Sequence, residues 1–485
     1  MSFVEKGNSL SPHQNSWSIW QLGILIVLAL TRGLLYLSLF PPWVAPDEPA
    51  HFEAVRILGQ ERRLPFAAYY ESNPVNPELS ASFVTFRMWE LLERPTPAQW
   101  LQAGNAATIP FSDYPYPGSL VTANSYPLLP HLVLSPFSNW IRNYDIVTEL
   151  YLLRLISVLF SVAVIVIAWF ITRRVFPHQP QFWLAIPAFI VFLPMYTHIF
   201  ASVNSDVFAV LLSSILLLVM ISFFDSGASI IKIVLVIFLV GLAVLTKRTV
   251  VFVVLWVGLT AILYWGNRRR WPAKRVITLC LVITGAVGLV IAWVIVRPDI
   301  LSNTMVTMFN IHLADAPAFT SFIYQGLTPT AIAKVYVQSG LFAFITFWGN
   351  FGGATTNIPW SWAYGLMIFC GLVITGAAIY LYKFFRQTKY TGTFQGYVFI
   401  IFLIGVTLSL LNSFIPVLVA GPRWGPAARY FFPVIIPIAT LFFLGVWQLF
   451  PAKYRQFYLL PLWLAALIAY DALAVTQVII PFLYG

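Results

Sequence analysis

The residues best suited to chemistry lie in Pro46-Asp47-Glu48-Pro49-Ala50-His51-Phe52, two adjacent carboxylates and an imidazole just beyond the first of many apolar stretches. Asp47 and His51 are four apart and Pro49 suits a first helical turn, so both side chains fall on one face of a short helix. That pattern supplies a general base or, with Glu48, ligands for a divalent cation, which stays an open option beside no cofactor at all. The plain alternative is that Asp47 caps the helix and His51 rests at the membrane interface. Capping leaves Glu48 unexplained, because paired carboxylates near a low-dielectric boundary repel and raise a proton affinity unless a cation neutralises them.

Three other connections carry polar residues. Asn204-Ser205-Asp206 either serves a site or is a turn in which Asp206 caps the next helix. Lys247 and Arg248 are two cations in a short connection and need an anion, a lipid headgroup or a phosphate, with Lys as a point charge and Arg as a fork donor. The string Arg423-Trp424-Gly425-Pro426-Ala427-Ala428-Arg429-Tyr430 adds two guanidinium groups with an aromatic residue beside each, suited to phosphate or to snorkelling at the interface. Arg32, inside the first apolar stretch, would cost about 2.5–3.5 kcal/mol if left unpaired at mid-membrane, so it needs the outer third or an acid. Arg154 is placed similarly. Tyr114, Tyr116, Tyr126 and Trp140 suit either an interfacial belt or a sugar-binding groove.

The elements that must position these groups are membrane helices. A chain of 485 residues with 59% hydrophobic and 9% charged residues cannot be a soluble domain, since no core would bury that much apolar side chain. The expected fold is an all-α polytopic membrane protein with about 11 transmembrane helices, near residues 18-40, 148-172, 181-200, 207-224, 230-246, 249-266, 276-297, 360-382, 396-416, 428-449 and 458-480. A tail, 1-17, precedes one membrane domain, 18-485. The first span is too long for a signal-peptide core and no cleavage pattern follows it, which predicts a retained helix. Cys280 and Cys370 both fall in apolar stretches, away from an aqueous disulfide.

With the N-terminus inside, alternation gathers 14 basic and two acidic residues on the inner side, against 15 of the 17 acids on the outer side and in the spans. The positive-inside rule therefore predicts a multi-pass cytoplasmic (inner) membrane protein with its C-terminus outside. The net charge of +11 follows from that topology, and the scattered basic residues do not fit nucleic acid. Two long segments fall outside: 41-147, with short amphipathic interfacial pieces such as Phe83 to Leu92, and 298-359. Val335 to Trp348 in the second is apolar enough to span, but crossing would turn Lys383 to Lys389 and Lys453 to Arg455 outward, so a re-entrant or interfacial helix is expected. On this topology Asp47, Glu48, His51, Asn204, Asp206, Lys247, Arg248, Arg423, Arg429 and Tyr430 all share the outer face. There is no repeat, Gly-rich phosphate loop, metal-finger spacing or cytoplasmic nucleotide-sugar fold.

A family resemblance runs along the chain to about residue 445. Arg32 in span one, Pro46-Asp47-Glu48, Tyr126-Pro127-Leu128-Leu129-Pro130, Asn204-Ser205-Asp206, Gly241-Leu242-Ala243-Val244-Leu245-Thr246-Lys247 and Arg429-Tyr430 occur in one order. This resembles the large-loop glycosyltransferases of the membrane-embedded C superfold, the group containing protein O-mannosyltransferases and the lipid A aminoarabinose transferase. The Asp47 to Phe52 string is more similar still to an uncharacterised prokaryotic branch. The resemblance implies an enzyme that moves a sugar from a polyprenyl-phosphate carrier to a glycan, lipid or protein acceptor outside the membrane, with inversion. Asp47 then matches the acidic position of a general base, and Glu48 orients the acceptor or binds a cation. Lys247, Arg248, Arg423, Arg429 and Tyr430 are the candidates for the leaving phosphate, with His51, Asn204, Asp206 and Tyr126 in support. Pro49-Ala50-His51 departs from the mannosyltransferase pattern, so metal status and acceptor class do not carry over. A lipid-linked-sugar transporter or flippase, or a polysaccharide polymerase or ligase, remains the alternative.

Overall fold

The computed structural model describes residues 12–65, 77–91, 127–269, 329–352, 355–387, 393–420 and 425–485. The chain is an all-α polytopic membrane protein: eight helices among the described residues are long and apolar enough to cross a bilayer, or nine with one bent pair. In chain order these are α1 (Pro12–Leu39), the short α2 (Glu48–Arg56), α3 (Pro77–Thr85), α4 (Met88–Leu91), α5 (Leu129–Trp140), α6 (Ile146–Val175), α7 (Pro180–Val191), α8 (Pro194–Phe200), α9 (Ser205–Ser226), α10 (Ile230–Val244) and α11 (Val253–Arg268). Then follow α12 (Pro329–Trp348), a two-stranded hairpin pairing Asn350–Phe351 with Thr356–Asn357, α13 (Trp360–Gln387), α14 (Phe394–Ala420), α15 (Ile435–Leu449), α16 (Ala452–Ala474) and α17 (Ile480–Tyr484).

Local chemistry sets the helix starts. Asp145 accepts from the amides of Val147 and Thr148 to open α6, and Asn204 Oδ1 accepts from Asp206 N at 2.9 Å to open α9. Asn204, not Asp206 as the plainer reading of the sequence has it, is thus the cap, which frees the Asp206 carboxylate for other work. Tight crossings rely on glycine: a β-carbon at Gly376 would meet the Gly445 carbonyl oxygen at 2.5 Å, so α13 and α15 approach backbone to backbone.

Helices stand at the described positions of the expected spans, with four qualifications to the expected count of 11. Residues 181–200 form not one rod but α7 and α8, bent by 65°. Pro194 lacks an amide donor and restricts Leu193 before it, so the helix breaks there. The stretches at 230–246 and 249–266 yield helices of 15 and 16 residues. The span at 276–297 lies outside the described residues. Thr330–Trp348 in α12 is long and apolar enough to cross. Tyr336 donates to Phe414 O near the end of α14, Thr346 accepts from Ala428 N just ahead of α15, and Trp348 packs against Phe189, Phe442 and Tyr470 within the bundle. The chain then continues to Phe351, whose ring lies 6.1 Å from Phe40 at the end of α1.

Arg32 meets an acid from the far end of the sequence, Asp471 of α16, which also accepts from Tyr36 Oη at 2.9 Å. This buried trio clamps α1 to α16 and satisfies the requirement that an arginine within a span be paired.

Candidate functional site

Asp47 occupies the N-cap position of α2 with left-handed backbone, φ 60 and ψ 5, and its side chain makes no capping bond. Aspartate tolerates this conformation better than most residues, but it still costs energy and must be fixed by its surroundings. Asn204 Nδ2 donates to Pro46 O at 3.1 Å and ties the turn to the start of α9. The result turns Asp47 away from its own helix and onto Arg429, whose Nη2 lies 2.6 Å from Oδ2.

Arg429 is the hub of a four-residue cluster. Its Nη1 lies 3.7 Å from Asp206 Oδ2, and Lys247 Nζ lies 2.5 Å from Asp206 Oδ1. Both cations sit against Tyr430, Lys247 Nζ 5.3 Å and the Arg429 guanidinium 5.7 Å from its ring centroid. Four connections separated by between 41 and 382 residues in sequence therefore meet in direct contact, two carboxylates against two cations. Asp206 and Lys247 are buried, whereas the Asp47 side chain keeps 26% of its surface exposed. Burial raises the Asp47 pKa, but the Arg429 guanidinium, with His51 and Lys247 nearby, outweighs it and holds the carboxyl at about 2. Burial lowers the pKa of Lys247, opposed by Asp206.

Glu48 points elsewhere, which corrects the expectation that it forms a carboxylate pair with Asp47 at the reacting centre. It is fully buried, and Arg154 holds it with a two-pronged grip, Nε to Oε1 at 2.8 Å and Nη2 to Oε2 at 2.6 Å. The amides of Trp43 and Val203 donate to the same carboxylate at 3.2 and 3.1 Å, and Arg154 also donates to Phe40 O and Pro41 O. Glu48 thereby fastens the end of α1, the start of α2, α6 and the strand of chain before Asp206 to one point. Removing one partner of such a pair leaves a buried charge, so Glu48→Gln is expected to cost about 3–5 kcal/mol of stability. Thermal unfolding should show that loss, and Glu48→Gln with Arg154→Met should recover part of it.

His51 faces a partner absent from the sequence expectations. Its Nδ1 lies 2.8 Å from Nε2 of His131 on α5, the rings stacked with centroids 5.1 Å apart and both residues 1% exposed. One proton between the two nitrogens satisfies both. Burial holds His131 at about 4, and burial with the neighbouring His131 holds His51 well below the usual imidazole range, opposed by Asp47. Both rings are therefore neutral at pH 7. The sign of the linkage follows: the unfolded chain takes up protons first, so stability is complete above about pH 6.5 and falls as pH drops toward 4. For His131 alone the loss reaches on the order of 3 kcal/mol at pH 4. His131→Asn is expected to flatten the fall in unfolding temperature between pH 7 and 5.

The option of a divalent cation on Asp47, Glu48 and His51 does not match this geometry, because both Glu48 oxygens are taken by Arg154. Among the described residues no three His, Cys, Asp or Glu side chains are grouped to hold a metal. Arg248 begins a 3-10 turn, Arg248–Val250, but its side chain lies outside the described residues, as do Arg423 and Tyr126. His131 was detectable only as a histidine one residue beyond Tyr126-Pro127-Leu128-Leu129-Pro130.

Residues 136–296 match the family model for dolichyl-phosphate-mannose-protein mannosyltransferases. A glycosyltransferase similarity thus falls on the segment that carries Arg154, Asp206 and Lys247. The match supports a membrane-embedded glycosyltransferase of the C superfold, a type that uses polyprenyl-phosphate sugars. No curated protein and no solved structure matches the chain.

Proposed function

We propose that the protein transfers a sugar from a polyprenyl-phosphate carrier to a glycan, lipid or protein acceptor on the outer face of the cytoplasmic membrane, with the Asp47–Arg429–Asp206–Lys247 cluster as its active site. The observation that carries this reading is the direct contact of Arg429 with Asp47, a pairing of base and phosphate-binding candidates. The family match on residues 136–296 supports it.

The cluster is neutral as it stands, so an arriving phosphate must take its cations from the two carboxylates. Arg429 offers a fork and Lys247 a point charge to the leaving phosphate. Once Arg429 turns to phosphate, the strongest opponent of burial is withdrawn from Asp47 and its basicity rises. Donor binding thus prepares the base. Asp47 then takes the acceptor hydroxyl proton as the new bond forms at the anomeric carbon, while the carrier phosphate leaves with the old bond's electron pair. Glu48 is a positioning residue in this account, acting through Arg154 and the Val203 amide. The outward orientation rests on the excess of basic residues in the opposite loops. We keep α12 as a re-entrant or interfacial helix in this reading, since a crossing there would turn Lys383 and Lys453 outward.

A flippase reading draws on one feature, the break between α7 and α8, since discontinuous helices are common in transporters. The two readings part on bond cleavage. Incubation in vesicles with polyprenyl-phosphate-linked sugars and a cell-envelope extract supplying acceptor hydroxyls should yield free polyprenyl phosphate for a transferase and intact lipid on the opposite leaflet for a flippase.

A further inference from the structure

A second polar site lies at the far end of the same helices. From Arg154, which grips Glu48, α6 rises about 30 Å to Arg174, the thickness of a bilayer core. There a cavity of about 450 Å³ is lined by Phe170, Arg173, Arg174, Leu218, Val219 and Ser222, between α6 and α9. Its walls are apolar toward the bundle and basic at the end. The Arg173 guanidinium is held between two indoles, 5.2 Å from the Trp169 ring and 5.7 Å from the Trp183 ring. Arg174 Nε pairs with Asp225 Oδ2 at 3.1 Å. Lys232 joins from α10, its ammonium donating to Ser222 O at 3.1 Å and Gly227 O at 2.7 Å. Arg173 and Arg174 line the site against one carboxylate, and Lys232, which also donates to Ser226 Oγ, adds charge from beside it, so the site is positive at headgroup level.

We infer that this cavity binds the phosphodiester headgroup of an anionic glycerophospholipid from the leaflet opposite the Asp47 cluster. Charge selects the headgroup: basic pockets between helix ends recognise anionic lipids, and each cation near the surface contributes measurably. Shape selects a lipid over a free anion, because Phe170, Leu218 and Val219 offer apolar surface to the first acyl carbons, and Phe170 is 47% exposed. The carrier phosphate of the proposed transfer reaction belongs at Arg429, a membrane thickness away, so the phospholipid is the occupant here.

The test measures binding alone and so stands or falls apart from sugar transfer. Purified protein in detergent is titrated in native mass spectrometry with phosphatidylglycerol, phosphatidylcholine of the same chains, undecaprenyl phosphate and soluble glycerol 3-phosphate. One phosphatidylglycerol per chain is expected, bound at least about tenfold more tightly than phosphatidylcholine. Arg173→Gln with Arg174→Gln should weaken it at least about tenfold. Val219→Trp, which fills the cavity without changing charge, should weaken it also, and Lys453→Gln should not. If the double variant fails to fold, Val219→Trp decides. Equal binding of phosphatidylcholine, unchanged binding to Val219→Trp, preference for undecaprenyl phosphate, or equal binding of glycerol 3-phosphate would each overturn the inference.

Discussion

Asp47→Asn lowers sugar transfer by at least about 100-fold while the protein stays folded, because the amide keeps the shape of the side chain and loses the proton acceptor. Asp47 is the carboxylate of the cluster with exposed surface, while Asp206 is buried beneath Lys247. Its left-handed backbone is spent on turning the carboxylate out of the capping position, where a structural aspartate would have placed it. The loss should fall on kcat, with carrier binding kept, since Arg429 no longer competes with a carboxylate for phosphate. Single-turnover transfer and carrier affinity together check this. An Asp47→Asn enzyme with undiminished turnover would remove Asp47 as base.

Arg429→Gln is expected to cost about 10²–10³ in turnover, the scale of losing one fixed donor to a developing oxyanion. It carries a second signature. In the native protein Arg429 holds the Asp47 carboxyl at about 2 against the upward push of burial. Without the guanidinium, burial is opposed only by His51 and Lys247 and the pKa rises from about 2, so the acid limb of the resting enzyme moves to higher pH. The sign is fixed: a raised Asp47 pKa leaves less carboxylate at a given acid pH, so activity disappears at higher pH than in the native enzyme. A residue that only braced the fold would lower activity or stability without moving that limb. Initial rates from pH 3 to 8, on protein verified by unfolding temperature, provide the comparison.

The convergence of Asp47, Asp206, Lys247 and Arg429 was legible because alternating spans dictate which connections share a face, and charge bias assigns the face. The divergence of Asp47 and Glu48 was not. Adjacent residues in a regular turn would keep their carboxylates together, but φ 60 at Asp47 separates them, sending one to Arg429 and the other to Arg154. Arg154 itself was visible as a buried cation in need of a partner, with nothing local to say that the partner was Glu48, 106 residues earlier. The break at Pro194 escaped because hydropathy stays high across α7 and α8, and hydropathy reports burial rather than direction. His131 escaped because a lone histidine in an amphipathic helix has no periodic signature, and its meaning appears only when α5 lies against α2.

The most direct test of the central claim leaves the acceptor unspecified but present: the protein, in lipid nanodiscs, is incubated with polyprenyl-phosphate-linked sugars carrying label in the carrier and a cell-envelope extract that supplies acceptor hydroxyls, and release of free polyprenyl phosphate is measured. The account predicts that at least one carrier-linked sugar is cleaved by the native protein and that Asp47→Asn and Arg429→Gln, both folded, each lower the release at least about 100-fold. Release that persists in both variants, or intact passage of the labelled lipid across vesicle membranes with no cleavage of any sugar, would contradict it.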